Sequence, residues 1–209
     1  WTATNESKGL SMRVEAKMEC DGYINYWVTF TAARDITLDD IQLQIPYNRD
    51  EATYMMGMGF KGGLRPADWK WKWEQAYANN MLWIGNINAG LQCKLKNESP
   101  SWDLYDFGKT GPYKDWSNDG KGGCAMTENG NAVLLKAFTG TRIIKAGEQL
   151  HLNFGLLITP LKVLDKDHWK ERYFQSDPPV DNWLQTAASK GADIINVHQR
   201  SEERREGKE

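Results

Sequence analysis

A run of alternating tryptophans and lysines is the segment of this chain best suited to contact a ligand. It reads Trp69-Lys70-Trp71-Lys72-Trp73, and in a strand Trp69, Trp71 and Trp73 would share one face. If exposed, that face would be a flat platform for the apolar side of a sugar ring. If buried, it would be core between two sheets. Because most large aromatic residues are buried, the core role is favoured, and the alternative is that the three tryptophans bind substrate.

Two other places carry side chains that could contact a carbohydrate. The polar stretch Asn97 to Gly123 is predicted to be a long irregular loop, where Trp102, Tyr113 and Trp116 could stack on a glycan. His198 follows a predicted strand, at the end where (β/α)₈ enzymes place substrate-binding groups. His198 is therefore a candidate substrate-binding residue beside Trp69, Trp71 and Trp73.

The glycine-rich stretch Tyr54 to Pro66 invites comparison with a phosphate-binding loop. Its Lys61 precedes Gly62-Gly63, whereas a phosphate-binding loop needs a Gly-Lys-Ser/Thr ending followed by a helix. We interpret the stretch as a strand end whose backbone needs positive φ or close packing.

The remaining reactive residues form no pattern typical of catalysis or metal binding. Cys20, Cys93 and Cys124 have no Cys-x-x-Cys spacing, and we interpret them as small hydrophobic residues. The sequence also holds no Gly-x-Ser-x-Gly or His-Glu-x-x-His motif. We therefore predict no metal, no cofactor and no complete active site, and we assign no catalytic residue.

The overall charge and hydropathy exclude two classes of partner. The 209 residues carry a net charge of −2, so we expect no nucleic-acid partner. No apolar run has the length of a membrane-spanning helix. The length is sufficient for a large sandwich with a real core.

The elements that would position these candidates read as short strands separated by turns. Residues Leu10 to Met18 alternate apolar and polar side chains, and Asp21-Gly22 turns the chain into Tyr23 to Ala33, which together predict a hairpin. Further strands are predicted at residues 41–45, 53–56, 69–77, 81–87, 91–96, 124–128, 132–138, 141–145 and 149–158. This pattern indicates an all-β fold, an antiparallel β-sandwich.

The pattern changes after Pro160. Leu161 to Pro179 is predicted to be a connector, followed by a helix over Val180 to Lys190 that begins at the N-cap Asp181 and stops at Gly191. Residues 192–197 then form an apolar strand typical of a parallel sheet. A helix followed by such a strand indicates the start of an α/β domain.

Several of these segments resemble a known family. Tyr54 to Pro66, the Trp69–Trp73 run, Trp83-Ile84-Gly85 and Asn88-Ala89-Gly90-Leu91 are similar to the N-terminal domain of glycoside hydrolase family 123-like proteins. Residues 168–174 and 192–198 resemble the segment that leads into their catalytic barrel. The resemblance spans most of residues 10–199.

The resemblance implies a β-sandwich ahead of a (β/α)₈ barrel that hydrolyses N-acetylgalactosaminides. In such enzymes an adjacent Asp-Glu pair works with the acetamido group of the substrate, which departs from the usual two-carboxylate scheme. That pair would lie beyond Gln199, so no residue of this chain inherits a catalytic role. The resemblance also implies a periplasmic or secreted location, the enzyme's own C-terminal barrel as partner, and a carbohydrate as substrate.

The sequence therefore predicts a β-sandwich at 1–160, a connector at 161–179 and the start of a truncated barrel at 180–199. Residues 200–209 form a mixed-charge run that resembles the translation of a sequencing adapter, and we expect them to be non-native. The alternative is a solvated charged tail. The expected function is that of a non-catalytic glycosidase domain that supports a catalytic barrel. The alternatives are a stand-alone carbohydrate-binding module and a purely structural domain.

Overall fold

The structure is a computed structural model of the chain, and it describes residues 1–73, 80–98, 111–161, 165, 167, 170–175 and 182–196. The chain divides into two compact units, residues 1–162 and 163–209.

The first unit consists almost entirely of strands in its described part. In chain order these elements are β1 (Thr2–Ser7), β2 (Leu10–Met18), β3 (Tyr23–Ala32), β4 (Ile36–Leu38), β5 (Gln42–Asn48), β6 (Tyr54–Gly57), β7 (Phe60–Leu64), β8 (Asp68–Lys72), β9 (Met81–Gly85), β10 (Gly90–Leu95), the short helix α1 (Lys114–Ser117), β11 (Gly123–Asn129), β12 (Ala132–Phe138), β13 (Arg142–Ile144), β14 (Gln149–His151) and β15 (Phe154–Thr159).

Two antiparallel sheets pack face to face as a β-sandwich. The larger, nine-stranded sheet has the order β1-β2-β3-β15-β10-β9-β6-β7, and β14 also pairs with β3. The smaller sheet has the order β5-β12-β11-β8. A separate pair, β4 with β13, completes the described strands of this unit. The predicted antiparallel sandwich is therefore confirmed.

Alternation along each strand places the core between the two sheets. In the predicted hairpin, β2 pairs with β3 from Leu10↔Ala32 to Met18↔Ile24. The side chains of this hairpin that pack in or against the core are Leu10, Met12, Val14, Tyr26, Val28, Phe30 and Ala32. The buried residues that fill the centre come from both sheets: Met55, Leu82, Ile84, Cys93 and Leu95 from the larger, and Trp71, Cys124, Met126, Val133 and Leu135 from the smaller. Burial of this apolar surface is the main driving force for the fold.

The stretch 149–158, predicted as one strand, is two strands separated by Leu152 and Asn153. The Asn153 side chain explains the break, because its Oδ1 accepts the Val28 amide at 3.0 Å and its Nδ2 donates to the Asn97 carbonyl at 2.8 Å. A side chain thus takes the place of a ladder hydrogen bond. The sequence could not indicate this, since Val28 and Asn97 are far away along the chain.

The glycine-rich stretch is a hairpin at the edge of the larger sheet, formed by β6 and β7. Gly57 has φ of 114°, and a Cβ there would lie 2.1 Å from the Met81 carbonyl oxygen. The interpretation as a strand end that needs glycine is confirmed at this position.

The second unit contains a helix between two parallel strands. These are β16 (Tyr173–Gln175), α2 (Trp183–Ser189) and β17 (Ile194–Asn196), with β16 pairing β17 from Tyr173↔Ile194. The helix ends as predicted, with Gly191 at φ 67° donating to the Ala188 carbonyl. Strand β16 lies inside the segment predicted to be a connector. The helix begins at Trp183 with Asn182 as its N-cap, so the predicted start at Asp181 is wrong by one residue.

Candidate functional site

Of the three candidate tryptophans of the first unit, Trp69 and Trp71 lie on the core face of β8, and Trp73 follows directly after that strand. Trp71 is 3% exposed and Trp73 is 7% exposed, while Trp69 is half-buried and packs against the core. The Trp71 and Trp73 rings meet edge-on with centroids 4.8 Å apart, and Trp73 contacts Tyr113 at 5.4 Å. This geometry favours the core role over the exposed platform.

The other candidates are buried or lie outside the described residues. Tyr113 and Trp116 are buried, and the Trp116 indole donates to the Asn153 carbonyl at 2.8 Å. Trp102 and His198 lie outside the described residues. The described candidates therefore pack in or against the core. A substrate contact by Trp69, Trp71, Trp73 or His198 stays a prediction.

The polar side chains that gather in a depression lie instead on the outer face of the larger sheet. Because side chains alternate along a strand, the β3 residues that face away from the core are Tyr23, Asn25, Trp27 and Thr29. On the neighbouring strand, Lys17 lies opposite Asn25 and Glu15 opposite Trp27. These positions come together only when β2, β3, β15 and β10 pair.

Three adjoining depressions on this face form what we call the outer groove. The first, of about 480 Å³, is lined by Lys17, Glu19, Asp21, Tyr23, Asn25, Trp27 and Lys96. The second, of about 440 Å³, is lined by Arg13, Glu15, Trp27, Thr29, Glu98, His151 and Asn153. The third, of about 240 Å³, is lined by Lys96, Asn97, Glu98, Pro112, Tyr113, Lys114, Asp115 and His151. The shared residues Trp27, Lys96, Glu98 and His151 join the three into one surface.

A chain of hydrogen bonds runs along the floor of the first depression. The Lys96 ammonium donates to Asn25 Oδ1 at 2.7 Å, and Asn25 Nδ2 donates to Glu19 Oε1 at 2.9 Å. Lys96 is only 3% exposed, so its charge depends on partners of this kind. The same ammonium lies 5.6 Å from the centroid of the Trp27 ring, within cation–π range.

At the other end of the outer groove, backbone and side chains fix the position of His151. Its amide donates to Asp115 Oδ2 at 2.7 Å, and its Nδ1 lies 3.3 Å from Thr29 Oγ1. An exposed ion pair joins Arg13 to Glu15 at 2.6 Å. This end is therefore polar, with donors and acceptors of both charge signs.

Tyr23 shares the environment of the first depression. Burial raises the pKa of Tyr23, and the charges of Cys93, Glu19 and Asp21 add to the shift. The phenol therefore stays protonated at neutral pH. Its hydroxyl oxygen is buried without a hydrogen-bond partner in the described part of the chain, as is the Trp27 indole nitrogen.

The side chains of the outer groove are of the kind that binds a polar ligand. Within the described residues, no group of three or more His, Cys, Asp or Glu side chains could hold a metal ion. None of the helices found there has the length and apolar character needed to cross a membrane. The donors, the acceptors and one aromatic ring point to recognition of a polar ligand that also has an apolar face.

Sequence reasoning missed the outer groove, although one signal was present. In the strand after Gly22, the side chains of Tyr26, Val28 and Phe30 pack in or against the core. The opposite positions hold Tyr23, Asn25 and Trp27, and large aromatic residues on a face meant for solvent are unusual. That departure from a polar outer face could have pointed to a binding surface.

Comparisons with known proteins bear on the first unit. A family described as glycoside hydrolase 123, third domain, matches residues 1–160. The resemblance noted in the sequence was to an N-terminal domain over the same residues. The position of this domain in a longer protein stays a prediction. No curated protein matches the chain in sequence.

Among solved structures, a polysaccharide lyase matches with a TM-score of 0.41 and 12% sequence identity. The match covers 75% of this chain and 21% of that one. The chain therefore spans about a fifth of the length of that structure.

Proposed function

The chain belongs to the glycoside hydrolase 123 third-domain family, and we propose that it is a non-catalytic domain that supports a catalytic barrel. The observation that carries the proposal is the family match over the whole sandwich, residues 1–160. The proposed partner is the enzyme's own barrel, and the proposed substrate is a carbohydrate with O-glycosidic bonds.

The packing of the sandwich supports a bracing role. Trp71, Trp73 and Tyr113 form a continuous aromatic contact in the core. The side chain of Arg65, which is 7% exposed, donates to the Ala52 carbonyl at 2.7 Å and to Glu128 Oε2 at 2.6 Å, which ties the segment before β8 to β11. A rigid body of this kind can hold a neighbouring domain in a fixed orientation.

The second unit supports the proposal that a barrel accompanies the sandwich. Strand β16, helix α2 and the parallel strand β17 follow one another in the chain. A strand, a helix and a parallel strand form the unit that repeats in a (β/α)₈ barrel. His198 comes two residues after β17 ends, and in a barrel this is the end of the strand that faces the substrate.

The finer activity is proposed from the family resemblance. We expect hydrolysis of N-acetylgalactosaminides with an adjacent Asp-Glu pair on barrel strands that follow residue 199. The alternative, a stand-alone carbohydrate-binding module, is favoured by one observation, the outer groove on the larger sheet.

Sequencing the source gene with long reads across codons 190–210 tests the proposal first. We expect the reading frame to continue from Gln199 into further strand–helix units with an adjacent Asp-Glu pair at a strand end. A stop codon directly after Glu209 would contradict the proposal and favour the stand-alone module.

The activity of the longer product provides the second test. We expect it to hydrolyse an aryl N-acetylgalactosaminide, whereas the 209-residue chain alone should not. Removing residues 1–160 should lower the melting temperature of the barrel. A barrel with unchanged stability and activity after that deletion would argue against a supporting role.

A further inference from the structure

We propose that the outer groove binds a neutral oligosaccharide, with Trp27 as the aromatic contact. The inference rests on the proposed function only for the choice of sugar as the ligand class. The site itself is argued from the groove, and it differs from the tryptophans of β8, whose rings lie in the core.

The position of Trp27 is the first support. Its half-buried ring lines both of the two larger depressions, so a chain that follows the groove must pass the indole. The apolar face of a sugar ring can stack on an indole, while the surrounding polar groups contact the hydroxyls.

The fixed polar groups beside the ring are the second support. Asn25 is buried and is held between Lys96 and Glu19 by hydrogen bonds of 2.7 and 2.9 Å. Asn25 and Trp27 lie on the same face of β3, and strands hold such groups more rigidly than loops do. A sugar hydroxyl both donates and accepts, so it can pair with the ammonium and with the carboxylate.

The charge of the groove decides between ligand classes. Its basic side chains are Arg13, Lys17, Lys96 and Lys114, and its acidic side chains are Glu15, Glu19, Asp21, Glu98 and Asp115. The two signs nearly balance and are interspersed, as the Arg13–Glu15 pair illustrates. An anionic polymer would meet carboxylates along the whole path, which is unfavourable. A neutral oligosaccharide avoids that repulsion.

The dimensions of the groove agree with an oligosaccharide. The two larger depressions have volumes of about 480 and 440 Å³, and each falls within the range of small-ligand sites, roughly 300–1,000 Å³. Because they meet at Trp27, a ligand of several sugar units would fill both.

Binding of the 209-residue chain to a glycan microarray tests the proposal. The array would carry neutral N-acetylhexosamine, galactose and glucose oligosaccharides beside uronic-acid and sulfated ones. We expect binding to neutral oligosaccharides, with affinity then measured by titration calorimetry. Binding to none of the neutral glycans, or to the anionic ones alone, would overturn the proposal.

Variants assign the binding to the outer groove. Trp27→Ala should weaken the affinity for the bound neutral glycan by about tenfold or more. Trp1→Ala is the matched control, because Trp1 is 74% exposed and pairs opposite Ala16, whose side chain lies on the other face of the sheet. An unchanged affinity of a folded Trp27→Ala variant would contradict the assignment.

A second variant covers the case in which Trp27→Ala fails to fold. Glu19 is exposed and accepts from Asn25, so Glu19→Gln should fold and still weaken binding by several-fold. Equal affinity of Glu19→Gln and the parent chain would count against the groove. These outcomes concern sugar binding by the outer groove of this chain, whereas the supporting role is tested on the barrel. The binding proposal can therefore fail while the supporting role stands, and the reverse also holds.

Discussion

At the scale of the residue, burial determines what each tryptophan of this chain can do. Trp71 is enclosed between the two sheets and contacts Trp73 edge-on, so its energetic role is packing. Trp27 lies on the opposite side of the larger sheet and borders the outer groove. The same residue type thus serves the core at one position and lines a binding surface at the other.

Trp71→Ala should destabilise the sandwich. Removing a buried tryptophan loses its transfer free energy and leaves a cavity, at a cost of about 3–5 kcal/mol in the free energy of unfolding. Denaturant unfolding followed by circular dichroism would measure the loss.

The exposed Trp1 provides the control for this experiment, because Trp1→Ala should change stability by no more than about 0.5 kcal/mol. A Trp71→Ala chain as stable as the parent that had lost glycan binding would contradict the core assignment and restore the platform hypothesis.

The three cysteines should differ sharply in reactivity. Cys20 is exposed, whereas Cys93 and Cys124 are buried, and all three are free thiols. Burial raises the pKa of Cys93 to about 12 and raises that of Cys124 as well. Because only the thiolate reacts, a native chain at pH 8 should take up one equivalent of Ellman's reagent and a denatured chain three.

A Cys20→Ser variant should then show almost no reaction until it unfolds. Rapid labelling of that variant under native conditions would mean that the core is open to the reagent. The raised pKa also has a consequence for stability: between pH 9 and 12 the unfolded Cys93 thiol loses its proton while the folded one keeps it. Stability should therefore fall as the pH rises through this range.

Residue patterns in the sequence were sufficient to place Trp69, Trp71 and Trp73 on one face, but not to decide whether solvent reaches it. That depends on the strands that lie opposite, and β8 is covered through pairings that bring together residues far apart in the chain. For the same reason the contact of Lys96 with Asn25, which are 71 residues apart, has no local signal.

At the scale of the element, the hairpin of β9 and β10 shows why glycine is needed in a strand. Gly85 and Gly90 are paired across the two strands. A Cβ at Gly85 or Gly90 would lie 2.6 or 2.3 Å from Cζ2 of Trp83, so the indole occupies the space of two missing side chains. Its Nε1 donates to Thr159 Oγ1 at 2.7 Å, which ties the hairpin to β15.

Gly90→Ala should displace the Trp83 ring and destabilise the chain. An added methyl group in a tightly packed site costs about 1–3 kcal/mol, and a lower melting temperature by calorimetry would report it. Lys70→Ala is the control, because Lys70 is an exposed strand residue of the other sheet and its replacement adds no atoms. Equal melting temperatures of Gly90→Ala and Lys70→Ala would contradict the packing described for Trp83.

Strand boundaries were predictable where the pattern alternated and failed where a side chain replaced the backbone ladder. The hairpin of β2 and β3 followed from alternation and the Asp21-Gly22 turn. The strands β1, β4 and β7 were not predicted, because β1 holds no apolar residue larger than Ala3, β4 has three residues and β7 is rich in glycine. Helix α1 lies in the stretch predicted to be an irregular loop.

At the scale of the whole molecule, the sandwich closes one face of the larger sheet and leaves the other for the outer groove. The inner face packs against β5, β8, β11 and β12, while the outer face carries Trp27, Asn25 and Lys96. The sequence predicted the fold class because each strand carries its own alternation. It could not predict the groove, which forms only when β3 pairs with β15, over a hundred residues away.

The described part of the second unit consists of a helix and two parallel strands. The helix and β17 were predictable from Gly191 and the apolar run that follows it. Strand β16 was not, because Tyr173 to Gln175 is too short to show a period. We propose that this unit belongs to the barrel that the sandwich supports.

Whether Trp27 contacts a neutral oligosaccharide while Trp71 and Trp73 stay in the core is tested most directly by ¹⁹F NMR on the chain labelled with 5-fluorotryptophan. Each of the ten tryptophans gives one resonance, and Trp27→Phe, Trp71→Phe and Trp73→Phe variants assign the three that matter. Titration with a neutral oligosaccharide should shift the Trp27 resonance and leave those of Trp71 and Trp73 unchanged. If the resonance of Trp71 or Trp73 shifted while that of Trp27 did not, binding in the outer groove would be contradicted. The absence of any shift with every neutral oligosaccharide would contradict it as well.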